Sequence, residues 1–197
     1  MRLGLYGGTF DPIHNAHLII AQFAKEELDL DSVLFIPSGS PPHKRVFAPN
    51  EKRLEMVKKA ISGNIAFDVS AYELEQPGVN FSVDTVAYLQ KKFGVPPDSL
   101  YWIIGSDNFI HLQEWHEPER LLRYCQLAVF PRNNVDHRAA QTDYLRQALI
   151  LTSAPQIDIS STLVRQLVRR SRSIRYLVPP AVGEIIYANK LYIQNES

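Results

Sequence analysis

The chain has a single cysteine in 197 residues, no surplus of either charge and no long apolar run. Cys125 alone cannot close an internal disulfide or build a cysteine metal cluster, and it suits a reducing compartment. Lys+Arg and Asp+Glu both number 21, which excludes a general nucleic-acid coat with its basic excess. No nucleic-acid partner is expected. Apolar stretches such as Leu18-Ile19-Ile20-Ala21 fall far short of the roughly 18 residues of a membrane span. Met1-Arg2 leads straight into a short apolar segment without the pattern of a signal peptide, so a cytoplasmic protein with no membrane partner is expected. Neutrality says nothing against a small anionic ligand, which responds to local charge.

What is present is a regular alternation. Short apolar runs at residues 2–6, 32–36, 65–69, 100–104 and 126–130 read as strands. Between them lie segments of helical periodicity, at about 13–28, from a cap at Asn50, and from Ser82. Beyond about residue 135 the chain reads as helical, over 144–149, 160–170 and 180 to about 193. The expectation is one α/β domain over 1–197. A Rossmann-like, doubly wound parallel sheet fills about 1–135, and a mostly helical C-terminal portion fills about 136–197. Ligands of such a sheet sit beyond the carboxyl ends of the strands. Three loops there carry unusual chemistry, at residues 7–17, 38–45 and 105–115.

The first loop reads Gly7-Gly8-Thr9-Phe10-Asp11-Pro12-Ile13-His14-Asn15-Ala16-His17. Glycines directly after a strand allow close approach of the backbone to a ligand. Neither a dinucleotide fingerprint nor a P-loop is present. Instead His14 and His17 enter the helix three residues apart, on one face, where free amides and the helix dipole already favour an anion. A zinc site is not expected, because no third ligand follows. At the other end of the chain, Ser160 and Ser161 are good helix caps in their own right. Arg165 lies one turn in, and no acid appears from there to Glu184, while Arg169, Arg170, Arg172 and Arg175 follow. A hydroxyl-rich helix start beneath an arginine is a credible triphosphate cradle. The basic loop Pro41-Pro42-His43-Lys44-Arg45 leaves the second strand.

The two end segments together resemble the nucleotidyltransferase superfamily marked by His-x-Gly-His. Gly7-Gly8-Thr9-Phe10-Asp11-Pro12-Ile13-His14-x-x-His17 is similar to its first signature. Ile159-Ser160-Ser161-Thr162-Leu163-Val164-Arg165 is similar to its second, Ile-Ser-Ser-Thr-x-x-Arg. Ala16 stands where the family usually has Gly, and its methyl lies where a nucleotide would pass the helix start. Gly105-Ser106-Asp107 followed by Trp115-His116, with Ser82-Val83-Asp84-Thr85, resembles the nicotinate-nucleotide adenylyltransferase branch.

The resemblance implies adenylyl transfer from ATP to nicotinate mononucleotide in NAD biosynthesis. His14, His17, Lys44 and Arg165 would carry the reaction. ATP would lie on Gly7, Gly8, Thr9, Phe10, the two histidines, Gly105, Asp107, Ile159, Ser160, Ser161, Thr162 and Arg165. The mononucleotide would meet Lys44, Thr85, Asp107, Trp115, His116 and Arg132. Trp115 would stack on the pyridine ring, and amides near Thr85 and His116 would receive the carboxylate. Mg2+ is expected to arrive mainly through the ATP phosphates, with no metal site of the chain's own. A sister enzyme acting on nicotinamide mononucleotide, phosphopantetheine or glycerol phosphate is the near alternative. A nucleotide-sensing or RNA-binding module using the arginine run is the distant one. A homo-oligomer is compatible with the sequence.

Overall fold

The computed structural model describes residues 1–41, 45–132 and 135–193. Its strands are β1 (Leu3–Gly8), β2 (Ser32–Pro37), β3 (Phe67–Val69), β4 (Leu100–Gly105), β5 (Gln126–Phe130) and β6 (Ala148–Ile150). They pair in parallel, in the order β3-β2-β1-β4-β5-β6. From β1 the chain winds outward through β2 to β3, then returns to lay β4 on the other side of β1. Strand order therefore reverses between β1 and β4, and a crevice opens above their carboxyl ends.

Both faces of the sheet are covered, and the strand residues alternate between them. Tyr101 and Ile103 of β4 and Ala128 and Phe130 of β5 join one apolar layer. Leu100, Trp102, Ile104, Leu127 and Val129 join the other. This is the period of two of a strand buried on both sides. The first layer is closed by α1 (Asn15–Glu27), α2 (Asn50–Ile61), α8 (Ser161–Arg169) and α9 (Pro180–Ala188). The second is closed by α4 (Ser82–Phe93), α5 (Ser106–Phe109), α6 (Pro118–Tyr124) and α7 (Thr142–Gln147), while α3 (Tyr72–Glu75) is a single turn after β3. Gly94 ends α4 in the left-handed conformation, φ 64°, and its N–H bonds back to the Gln90 carbonyl.

Three local expectations are corrected. Residues 144–149 do not form one helix: α7 stops at Gln147 and Ala148–Ile150 adds a sixth strand beside β5. So short a strand shows no period in the sequence, yet Ala148 and Ile150 pack inward and Leu149 is exposed. The sheet thus continues into the part read as helical. Asn50 is the first residue of α2 rather than its cap, a position Pro49 takes. The last helix ends at Ala188, not near Ile193. Cys125 is buried, and burial pushes its thiol up to about 12. No helix among the described residues is long and apolar enough to cross a membrane.

Candidate active site

The loop after β1 is folded against the crevice by packing. A Cβ at Gly7 would come within 2.6 Å of the Trp102 ring, so this glycine makes room for an indole of the neighbouring strand. Phe10 takes a left-handed φ of 45°, a strained conformation for an aromatic residue. It is held there by burial and by edge-on contacts with Tyr6 and His17.

His14 caps α1 and His17 lies three residues inside it. The two imidazoles stack, with centroids 3.6 Å apart and an interplanar angle of 18°. The backbone N–H of His14 donates to Nδ1 of His17 at 3.2 Å. Nδ1 of His17 therefore acts as the acceptor, which puts the ring proton on Nε2. His14 is buried, and its Nδ1 has no hydrogen-bond partner among the described residues. Burial, followed by the positive charge of Arg132, lowers its pKa to about 3, so it is neutral at physiological pH. Together with Ala16, Phe130, Arg132 and Ile157, the two histidines line a narrow cleft at the switch point.

The second signature packs directly onto the first. Ser160 caps α8, its Oγ accepting from the Leu163 N–H at 3.1 Å. The Ser161 hydroxyl donates to the Pro12 carbonyl at 2.8 Å. Arg165 donates through Nη1 to the Asp11 carbonyl at 2.7 Å and through Nη2 to the Thr162 hydroxyl at 3.1 Å. Its head thus turns back toward the helix start, as its position one turn in suggests. Ile159 is half-buried against the first layer.

Beneath this junction lies Asp11, a residue of the first signature whose role no local spacing marks. It is 1% exposed, and its carboxylate accepts from the N–H groups of Phe47 (2.7 Å) and Ala48 (3.1 Å) and from the Tyr192 hydroxyl (2.7 Å). Arg53 is fully buried beside it, donating to the Thr9 carbonyl and to Asn50, each at 2.7 Å. Arg53 is therefore a scaffold residue and not one of the surface charges available to a phosphate. Lys52 pairs with Glu55 at 2.8 Å. Lys44 lies outside the described residues.

On the other side of the crevice, Gly105 ends β4, and a Cβ there would run into the Asp107 carboxylate. Asp107 pairs with Arg132 at 3.5 Å, and its buried Oδ1 has no hydrogen-bond partner among the described residues. Ser106 accepts the Arg132 N–H at 2.9 Å, tying the end of β5 to the start of α5. Further out, Trp115 is half-buried against the second layer, and the exposed His116 ring lies 4.2 Å from Phe81 at the mouth of α4. Trp115, His116 and the start of α4 therefore do converge. Thr85 is buried, however, and its amide is already bonded to the Phe81 carbonyl at 3.2 Å.

The Thr85 hydroxyl donates to Glu73 at 2.8 Å, a buried acid that no local pattern in the sequence marks. Burial pushes its carboxyl up to about 7, opposed by hydrogen bonds from Thr85 and Ser38. An acid raised from the usual range near 4.5 favours folding fully below that value and loses the contribution as pH climbs to 7. Glu73→Gln is therefore expected to gain about 3 kcal/mol relative to the wild type between pH 4.5 and 7.5. Melting curves of both proteins across that range check it; parallel curves would refute it.

A switch-point crevice, a stacked histidine pair at a helix start and an arginine turned back over a second helix start define an α/β protein built to hold nucleotide phosphates. Comparison with known proteins narrows this. The family model described as "Cytidylyltransferase-like" matches residues 5–167. A protein of Dehalococcoides mccartyi strain 195 named "Probable nicotinate-nucleotide adenylyltransferase" is 40% identical over 200 residues, covering 98% of this chain and 97% of its own. One of the same name from Caldicellulosiruptor saccharolyticus is 38% identical over 198 residues, covering 98% and 99%. The chain therefore belongs to the cytidylyltransferase-like family and, within it, to the nicotinate-nucleotide adenylyltransferase family. Its fold is also that of the Plasmodium falciparum nicotinic acid mononucleotide adenylyltransferase complexed with NaAD. That structure has a TM-score of 0.75 and 17% identity, with 96% of each chain covered.

Proposed function

We propose that this chain transfers the adenylyl group of ATP to nicotinate mononucleotide, forming deamido-NAD and pyrophosphate in NAD biosynthesis. The observation that carries the reading is the stacked pair His14–His17, with His14 held neutral by burial and Nδ1 of His17 accepting the His14 N–H, so that Nε2 of His17 carries the donor proton. A phosphate oxygen of the mononucleotide attacks the α-phosphorus of ATP, and the bond to the pyrophosphate oxygen breaks. That nucleophile is already mostly ionised at neutral pH, its second pKa being about 6, so no general base is needed. The buried carboxylates agree with this: Asp11 is taken up by two amides and a phenol, and Glu73 by Thr85.

Catalysis is then alignment of two anions and stabilisation of the charge that builds on the phosphates. His14 and His17 serve the α-phosphate as hydrogen-bond donors. Arg165 and Lys44 offset the repulsion between the substrates. Asp107 is assigned to the nucleotide ribose, and Arg132 to the mononucleotide phosphate. The first-turn hydroxyls of α8 are assigned to the triphosphate. Mg2+ fits this scheme as a companion of the ATP phosphates, where it would neutralise charge. The described residues hold no cluster of three His, Cys, Asp or Glu to cage it.

Trp115 is assigned to stacking on the pyridine ring. Trp115→Ala is expected to raise the KM for the mononucleotide about tenfold, the scale of one base-stacking contact, and to leave that for ATP unchanged. Steady-state kinetics with each substrate varied in turn decide this. The function as a whole is tested by pyrophosphate release from ATP, run in parallel with nicotinate and nicotinamide mononucleotides. Release only with the nicotinamide form would move the chain to a sister activity, and release with neither would overturn the reading.

A further inference from the structure

Arg45, Arg165 and Arg169 converge on one side chain. Their guanidinium carbons lie 5.3, 4.4 and 5.2 Å from the centroid of the Phe47 ring. Phe47 is 39% exposed, so the ring is a platform at the surface rather than part of the core. Its backbone is fixed from below by the buried Asp11 carboxylate. Among the described residues, none of the three arginines has a carboxylate within ion-pair distance. Arg165 and Arg169 are four residues apart on α8, a spacing at which like charges repel. The quadrupole of one ring offsets part of that repulsion, and the buried Asp11 carboxylate acts on Arg165 from below, which still leaves a net positive cluster of three arginines. Three forked donors around one spot match an oxygen-rich polyanion.

The cluster is also placed for one particular anion. Arg165 reaches the Asp11 carbonyl and Ser161 the Pro12 carbonyl, in the segment that leads into His14. Phosphates extending from the histidines along the start of α8 therefore run toward the Phe47 platform. We infer that Phe47, Arg45 and Arg169, outside both signatures, join Arg165 to form a binding site for the pyrophosphate that leaves ATP. The assignment deepens the proposed adenylyl transfer and rests on it for the identity of the donor.

The decisive measurement is calorimetric binding of inorganic pyrophosphate to the full chain and to its variants Arg169→Gln, Phe47→Leu and Arg172→Gln. Phe47 and Arg169 are exposed, so the first two substitutions leave the core intact, and Arg172 is a neighbouring exposed arginine with no part in the cluster. Arg169→Gln and Phe47→Leu are expected to weaken pyrophosphate binding about five- to tenfold, with a matching rise in the KM for ATP. Binding of adenosine monophosphate, which lacks the outer phosphates, and the KM for nicotinate mononucleotide should not move. Arg172→Gln should match the wild type. Unchanged pyrophosphate binding in Arg169→Gln would overturn the site, as would an equal loss in Arg172→Gln, which would mean long-range charge alone. If the wild type binds pyrophosphate through Arg169 but turns over no nicotinate mononucleotide, the site stands and the proposed reaction fails.

Discussion

Replacing His17 with alanine is expected to cut turnover about a thousandfold while the protein still folds. The ring is only half-buried, so its loss opens no core cavity. What disappears is an oriented donor. The His14 N–H holds Nδ1 of His17 and so keeps the proton on Nε2. Removing a preorganised donor from a site of developing charge costs about 10²–10³ in rate. His17→Ala also frees the face on which His14 stacks, which places the loss at the upper end of that range. Pyrophosphate release from ATP and nicotinate mononucleotide, beside a far-UV melt of the same preparation, makes the comparison. Turnover within tenfold of the wild type would remove the histidine pair from the mechanism.

The second large effect is on stability. Asp11→Ala takes away the one carboxylate that receives Phe47, Ala48 and Tyr192, and it leaves two backbone N–H groups and a phenol without partners. It also uncovers the buried charge of Arg53, which the carboxylate helps to keep ionised. Breaking a buried network of this kind costs about 3–5 kcal/mol, or a fall in Tm of roughly 10 °C for a chain of this size. Asp11→Asn, which keeps an acceptor, should lie between the two. Tyr192→Phe, which removes a single hydrogen bond, should cost about 1 kcal/mol. A melt of Asp11→Ala within 2 °C of the wild type would show that the network does not bear on folding.

Most of the architecture was legible because the central strands are buried on both faces and so read as continuous apolar runs, as in residues 100–105. The sixth strand was not, since three residues cannot display a period that competes with the helical spacing around Tyr144. At the site, the histidines and the Ser-Ser-Thr start of α8 could be read because their local spacing carries their chemistry. Asp11, Arg53, Glu73 and Phe47 act through partners far off in the chain, as Asp11 does with Tyr192, and no local pattern marks such a pairing. Arg53 is instructive: as a letter it belongs to a basic run with Lys52, whereas in the fold it is fully buried. Gly7, near the end of β1, has a packing reason to be glycine that no local pattern shows, because the space it leaves is filled by Trp102.

The bond from Tyr192 to Asp11 joins residues 181 positions apart and makes the order of synthesis matter. A growing chain makes its histidine loop before the remaining strands of the crevice, which are complete by residue 130. The loop cannot be locked until the residues after α9 have left the ribosome and reached back to the first turn. Every shorter intermediate holds the histidines over an incompletely tied base. A cut or a bulky fusion just before residue 192 would therefore act on the front of the protein, loosening the loop that opens the sequence.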